Sequence, residues 1–182
     1  MTFTTGFYRI AGSLVVVFGL GMPATAQTNA IGTVEATIDG VAYRGETLEV
    51  PSEGTATAEF MAIGPMTTVT VQAHDPEADS IMHNVLSVEL MMEGTELAGP
   101  MMPPTVSYWP EGMRAAFYIM DETGTAPEIT IDDVSLVAGE AFIRGSFTAQ
   151  ACKQESFFSE IDLDDCITIE GSFDTPMHET SM

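Results

Sequence analysis

Cys152 and Cys166 sit in two alternating segments, FIRGSFTAQAC and CITIEGSFDTP, whose pairing can be tested residue by residue. If the cysteines face one another across antiparallel strands, every opposed pair of residue numbers sums to 318. On one face Gly145 then meets Phe173, Phe147 meets Gly171, Ala149 meets Ile169 and Ala151 meets Ile167. On the other, Arg144 meets Asp174, Ser146 meets Ser172, Thr148 meets Glu170 and Gln150 meets Thr168. One face is apolar throughout and the other polar throughout, the pattern of an antiparallel sheet with one side on a core. Each glycine lies opposite a phenylalanine whose ring can cover the gap it leaves. A slip of one residue would mix the two faces, so the register is specified. Phe142 to Pro176 is therefore expected to form a disulfide-tipped hairpin, around which the remaining chain must build a sheet.

A disulfide of this kind persists outside the cytosol, and the N-terminus agrees. Arg9, the apolar run Ile10 to Leu20 and the small-x-small site Ala24-Thr25-Ala26 read as an export signal over residues 1–26. The apolar run is too short for a spanning helix. Residues 27–182 are then one exported domain, periplasmic or secreted, long enough to bury a sizeable core. The formal net charge is −22, and loss of Arg9 with the signal makes it −23, leaving Arg44, Arg114, Arg144 and Lys153 as the cations. Such a surface repels nucleic acid and anionic lipid headgroups, so neither is an expected partner. It keeps an exported protein soluble, and it could attract cations or a basic partner.

The rest of the chain is a succession of short alternating runs. Val34, Ala36 and Ile38 share a face, and Asp39-Gly40 is a two-residue hairpin turn that sets Ile38 against Val41, Ala36 against Tyr43 and Glu35 against Arg44. Leu48 to Val50, then Ala56, Ala58, Phe60 and Ala62, then Val69, Val71 and Ala73 continue the pattern. Leu86, Val88, Leu90 and Met92 form the core face of a further strand, with Ser87 and Glu89 outside. Residues 93–112, with Pro100, Pro103, Pro104 and Pro110, read as the longest irregular loop. Ala115, Phe117 and Ile119 resume a strand, which Asp121-Glu122-Thr123-Gly124 turns. Ile129 and Ile131 differ in parity from Val134 and Leu136, which marks a β-bulge at Asp132-Asp133. From about residue 175 the tail has no pattern and is expected to fray. Apolar periods of helical spacing are missing, so the expected fold is all-β: an antiparallel β-sandwich or partly closed barrel of roughly nine short strands.

No catalytic or cofactor motif stands out, and a non-enzymatic binding protein is the leading expectation. The 93–112 loop is its expected contact surface, through Met101, Met102, Tyr108 and Trp109, because exposed aromatic side chains offer large area at low entropy cost. The partner is an unspecified protein or small ligand. If Trp109 instead caps the core, its loss should destabilise the fold. The alternative is a metal-binding protein. Thioether and imidazole donors, among them His74, Met82 and His83, suit Cu(I), although a site depending on His83 or Met101 is not expected. Asp162, Asp164 and Asp165 in the disulfide loop offer oxygen to calcium. A third possibility is a hydrolase with a carboxylate pair among the 27 acids.

Overall fold

The computed structural model describes residues 27–99, 102–120 and 126–180. The expected export signal at 1–26 and the expected turn at 121–124 lie outside these residues. Thirteen strands and no helix form among the described residues. The first half holds β1 (Asn29–Ile38), β2 (Val41–Val50), β3 (Thr55–Ala56), β4 (Ala58–Ile63), β5 (Met66–His74), β6 (Val85–Glu93) and β7 (Glu96–Leu97). The second holds β8 (Thr105–Trp109), β9 (Phe117–Ile119), β10 (Glu128–Ser135), β11 (Phe142–Gln154), β12 (Ile161–Pro176) and β13 (His178–Glu179). The excess over the expected number comes mainly from β3, β7 and β13, each of two residues.

The hairpin of β11 and β12 keeps the register set by the cysteines from Phe142↔Pro176 to Cys152↔Cys166, and the disulfide is closed. Phe147, Ala149, Ala151, Ile169 and Phe173 are buried, as one-sided alternation requires. The glycine opposite Phe173 is needed for space: a side-chain carbon on Gly145 would lie 2.9 Å from Phe173 Cζ and would also strike the Thr130 carbonyl. Arg144 Nε donates to Asp174 Oδ2 at 2.9 Å on the polar face. The cysteines are not at the tip. Pairing shifts after Cys152 and resumes as Lys153↔Asp162 and Gln154↔Ile161, so the loop that turns the chain lies beyond the disulfide. Two other short-range expectations hold as well. Asp39 (φ 48°) and Gly40 (φ 80°) make the turn between β1 and β2 with the expected partners, and β10 bulges between Ile131 and Asp133.

Two strands each serve two neighbours along one edge, and this closes the sheet. One edge of β5 pairs along its length with β6; the other pairs with β4 and then, at His74↔Glu46, with β2. One edge of β11 pairs with β12; the other pairs with β10 and then, from Cys152, with β9. The ladder therefore runs β1–β2–β5–β6–β8–β9–β11–β12 and back to β1. Where β4 and β10 branch away the ring opens, so the molecule is a barrel at one end and a two-layer sandwich at the other. Thr57 makes the switch between layers. It exchanges bonds with Leu48 on β2 and with Gln72 on β5, all at 2.8 Å, through its backbone and its hydroxyl.

The core lies between the layers. It is built from inward residues of nearly every long strand: Val34, Phe60, Val71, Val88, Ile143, Phe147, Ile169 and Phe173 among them. Two sequence expectations fail here. Residues 93–112 are not one loop, because β7 and β8 lie within them; between Pro104 and Pro110 the chain reads TVSYW, a proline-free β-branched and aromatic run that pairs with β6. The tail is not frayed either. Thr175 and Met177 are buried, and His178–Glu179 pairs in parallel with Glu59 and Phe60 of β4. That single parallel pairing makes the sheet mixed, and two residues of it leave no alternation to read. The disulfide belongs to an oxidising, extracellular-type environment. Among the described residues no helix is long and apolar enough to cross a membrane.

Candidate functional site

The outer face of β5, β6 and β8 is not solvated as a one-sided sheet would be. Alternation that sends Val71 and Ala73 inward leaves Gln72 and His74 outside, and pairing sets them in rows across the sheet. His74 lies beside Val85 and Val85 beside Trp109; Gln72 lies beside Ser87 and Ser87 beside Ser107. His74, Val85, Ser87 and Ser107 are nevertheless buried, because three segments cover this face. Residues 75–84 bring Ile81 and Met82, and residues 110–116 bring Met113. The hairpin beyond the disulfide brings Phe157, whose ring centroid is 5.5 Å from Trp109 and 5.2 Å from Phe117. Trp109 stacks on Phe117 at 4.1 Å with planes 12° apart, and its Nε1–H donates to Ser107 Oγ at 3.0 Å.

A hollow of about 120 Å³ remains under the covering loops. His74, Met82, Met113 and Trp109 line it, with Ser87 and Ser107 from the sheet and Glu89 from the next row. Gly112 brings the two loops together. Its φ of +83° is one that L side chains rarely adopt, and a side-chain carbon there would lie 3.0 Å from the Met82 carbonyl. Asn84 N donates to Pro110 O at 3.0 Å and fixes the same approach.

His74 is 6% exposed. Its Nδ1 lies 2.7 Å from the Ile81 carbonyl, which can only accept, so Nδ1 carries the proton. Nε2 is then a bare acceptor, and it is buried with no hydrogen-bond partner. Burial pushes the imidazole below its usual pKa range, and the Nδ1–H bond to Ile81 offsets this only in part. A buried polar atom left unpaired is costly, about 1–3 kcal/mol, and calls for an explanation. Space is the other clue. Cavities that hold drug-sized ligands run to roughly 300–1,000 Å³, so this one suits an ion or a very small molecule.

Of the residues singled out from sequence, His74, Met82 and Trp109 converge here. Met101 lies outside the described residues. Met102 is exposed and sits apart, after a turn closed by Met102 N to Gly99 O at 3.0 Å. Tyr108 is directed to the core instead of outward. It meets Tyr43 edge-on and stacks on Tyr118, each at 6.4 Å, and its hydroxyl donates to Asn84 Oδ1. His83 is at the surface, bonded to Asp79 at 2.8 Å. The three aspartates of the disulfide loop are not gathered: Asp162 accepts from Asp164 N at 3.0 Å, while Asp165 is 3.7 Å from Lys153 Nζ. Among the described residues no three His, Cys, Asp or Glu side chains converge as metal ligands do. Met113 was missed by sequence reasoning, although the Pro110-Glu111-Gly112 turn before it signals a chain reversal.

Two larger hollows that His74 does not border lack comparable chemistry. One of about 530 Å³ is an open concavity on the polar face of β10, β11, β12 and β1, lined by Ser, Thr and the exposed Glu35, Glu128 and Glu170. The other, about 350 Å³, lies beside Tyr43, Arg44, Asp75 and Asn84, where Asn84 Nδ2 donates to Asp75 Oδ2 at 2.5 Å. Compared with known proteins, the chain matches no family model, no curated protein and no solved structure.

Proposed function

We propose that this is an exported binding module, periplasmic or secreted and not an enzyme, that holds a small ligand under the loops covering β5, β6 and β8. The observation that carries this reading is His74 Nε2, a buried lone pair without a partner on a residue lining a small hollow. Catalysis fits less well. His74 Nδ1–H is held by a backbone carbonyl and not by a carboxylate, and Nε2 has no hydroxyl or thiol to activate. The contact surface expected from the 93–112 segment thus narrows to Trp109.

Trp109 is the only tryptophan in the chain, so its fluorescence reports the site directly. Titration with a panel of Cu(I), Ag(I), Zn(II), Ca(II), imidazole and indole should give a saturable change with at least one member, accompanied by a rise in melting temperature. Ligand that binds only the folded state at one hundred times its Kd stabilises by about 2.7 kcal/mol. A flat response of both signals across the panel removes the reading.

A further inference from the structure

The geometry points to a soft monovalent cation, Cu(I), as the ligand of this hollow, held by His74 Nε2 and the thioethers of Met82 and Met113 with the Trp109 indole alongside. The inference rests on the reading of the hollow as a ligand site and assigns its chemistry.

Four observations lead to it. First, the donor set is soft and neutral: one histidine and two methionines line the same small space. Thioether selects Cu(I) over Zn(II), Ca(II) or Mg(II), which favour thiolate, imidazole or oxygen. Second, the imidazole is prepared to coordinate. The Ile81 carbonyl fixes the tautomer and ring orientation through Nδ1–H, the usual outer-shell arrangement of a metal-bound histidine. Ile81 borders a neighbouring hollow that His74 also lines, and it does not border this one. With Nδ1 engaged by Ile81, Nε2 is the one ring nitrogen left to coordinate. Third, the sulfurs are on adaptable side chains. Met82 and Met113 are 43% and 56% exposed and belong to loops, so they can swing onto an ion without repacking the core. Fourth, the surroundings favour positive charge. Glu89 lines the hollow, and an indole face attracts a cation lodged beside it.

Three such donors satisfy a low-coordinate monovalent ion, and the space admits little more. His83 is excluded from the set by its bond to Asp79 at the surface.

The test is anaerobic titration of the intact, disulfide-closed protein with Cu(I), kept reduced by ascorbate in competition with a chromogenic Cu(I) chelator. Ag(I), which needs no reductant, is a second probe. One equivalent of either ion should be taken up with saturable quenching of Trp109. Met82→Leu with Met113→Leu should lower the affinity at least tenfold, and His74→Gln likewise, while His83→Ala leaves it unchanged. Leucine conserves methionine's volume, so the double variant should fold as the parent does, and circular dichroism checks that. NMR adds a readout that folding alone would not move: the His74 Nε2 nitrogen resonance should shift on adding Ag(I). No stoichiometric uptake, or uptake that survives the double methionine change or depends on His83, overturns the inference. If imidazole or indole still saturates the Trp109 signal, only the soft-ion assignment is lost. If nothing in the panel does, the ligand-site reading falls with it.

Discussion

At the scale of single residues, Trp109 carries two roles that sequence reasoning set against one another. It is half-buried in a stack with Phe117 and Phe157, and it also walls the hollow. The first role makes it a cap on a small apolar cluster outside the main core. Trp109→Ala should therefore cost about 3 kcal/mol, as large aromatic truncations do, measured by denaturant titration followed by circular dichroism. A melt indistinguishable from the parent would show that the stack contributes nothing and that Trp109 is free for contact alone. Phe158 is the internal control. It is fully exposed on the same hairpin, so Phe158→Ser should leave stability within about 0.5 kcal/mol, as surface changes usually do.

At the scale of elements, the β11–β12 hairpin shows which features set register and which set stability. Gly145 against Phe173 and Phe147 against Gly171 hold the alignment by shape. The disulfide acts on the unfolded chain, restricting a loop whose closure is worth roughly 3 kcal/mol in the chain-entropy model. Replacing both cysteines by alanine should lower stability by about that amount, while hydrogen exchange still protects the pairs from Phe142 to Ala151. Loss of that protection would mean that the crosslink, not the side-chain pattern, fixes the register. The bonds of Thr57 to both β2 and β5 carry a different lesson. A strand that changes layers reads as one continuous alternation, Ala56, Ala58, Phe60, because the break costs only a single residue of pairing.

At the scale of the whole molecule, closure of the ring is thinnest between β2 and β5, where one residue pair, Glu46↔His74, completes the ladder. Tyr43 reinforces the seam from inside: its hydroxyl lies 3.0 Å from both the Ala73 and Asn84 carbonyls. Burial, with the nearby Asp75 charge, raises the Tyr43 pKa well above the ordinary phenol value. The folded state thus holds this proton to a higher pH than the unfolded chain does. The stabilisation is complete below about pH 10, the unfolded phenol value, and is lost as pH rises toward the folded pKa. Alkaline melts should show a steep fall in stability above that point. Absorbance near 295 nm should show one tyrosine ionising only as the protein unfolds; titration of all tyrosines before unfolding would contradict the buried seam.

Local pairing was legible in the sequence, because it is decided by alternation and turn chemistry within a few residues. The β1–β2 turn at Asp39-Gly40, the β11–β12 register and the bulge of β10 all follow from such patterns. The lining of the hollow was partly legible too: His74 and Met82 stand out by type, and Trp109 by being single. What covers what was not. Ser87 and Ser107 alternate outward like any solvated residues, and only the arrival of loops 75–84 and 110–116 buries them. The parallel β13–β4 pairing, the ring closed through β5 and β11, and the hollow that Met113 and His74 both line join residues far apart in sequence. Alternation encodes which face a side chain takes. The opposing surface is set by packing, whose free energy depends on all the strands at once, and only the tertiary structure decides it.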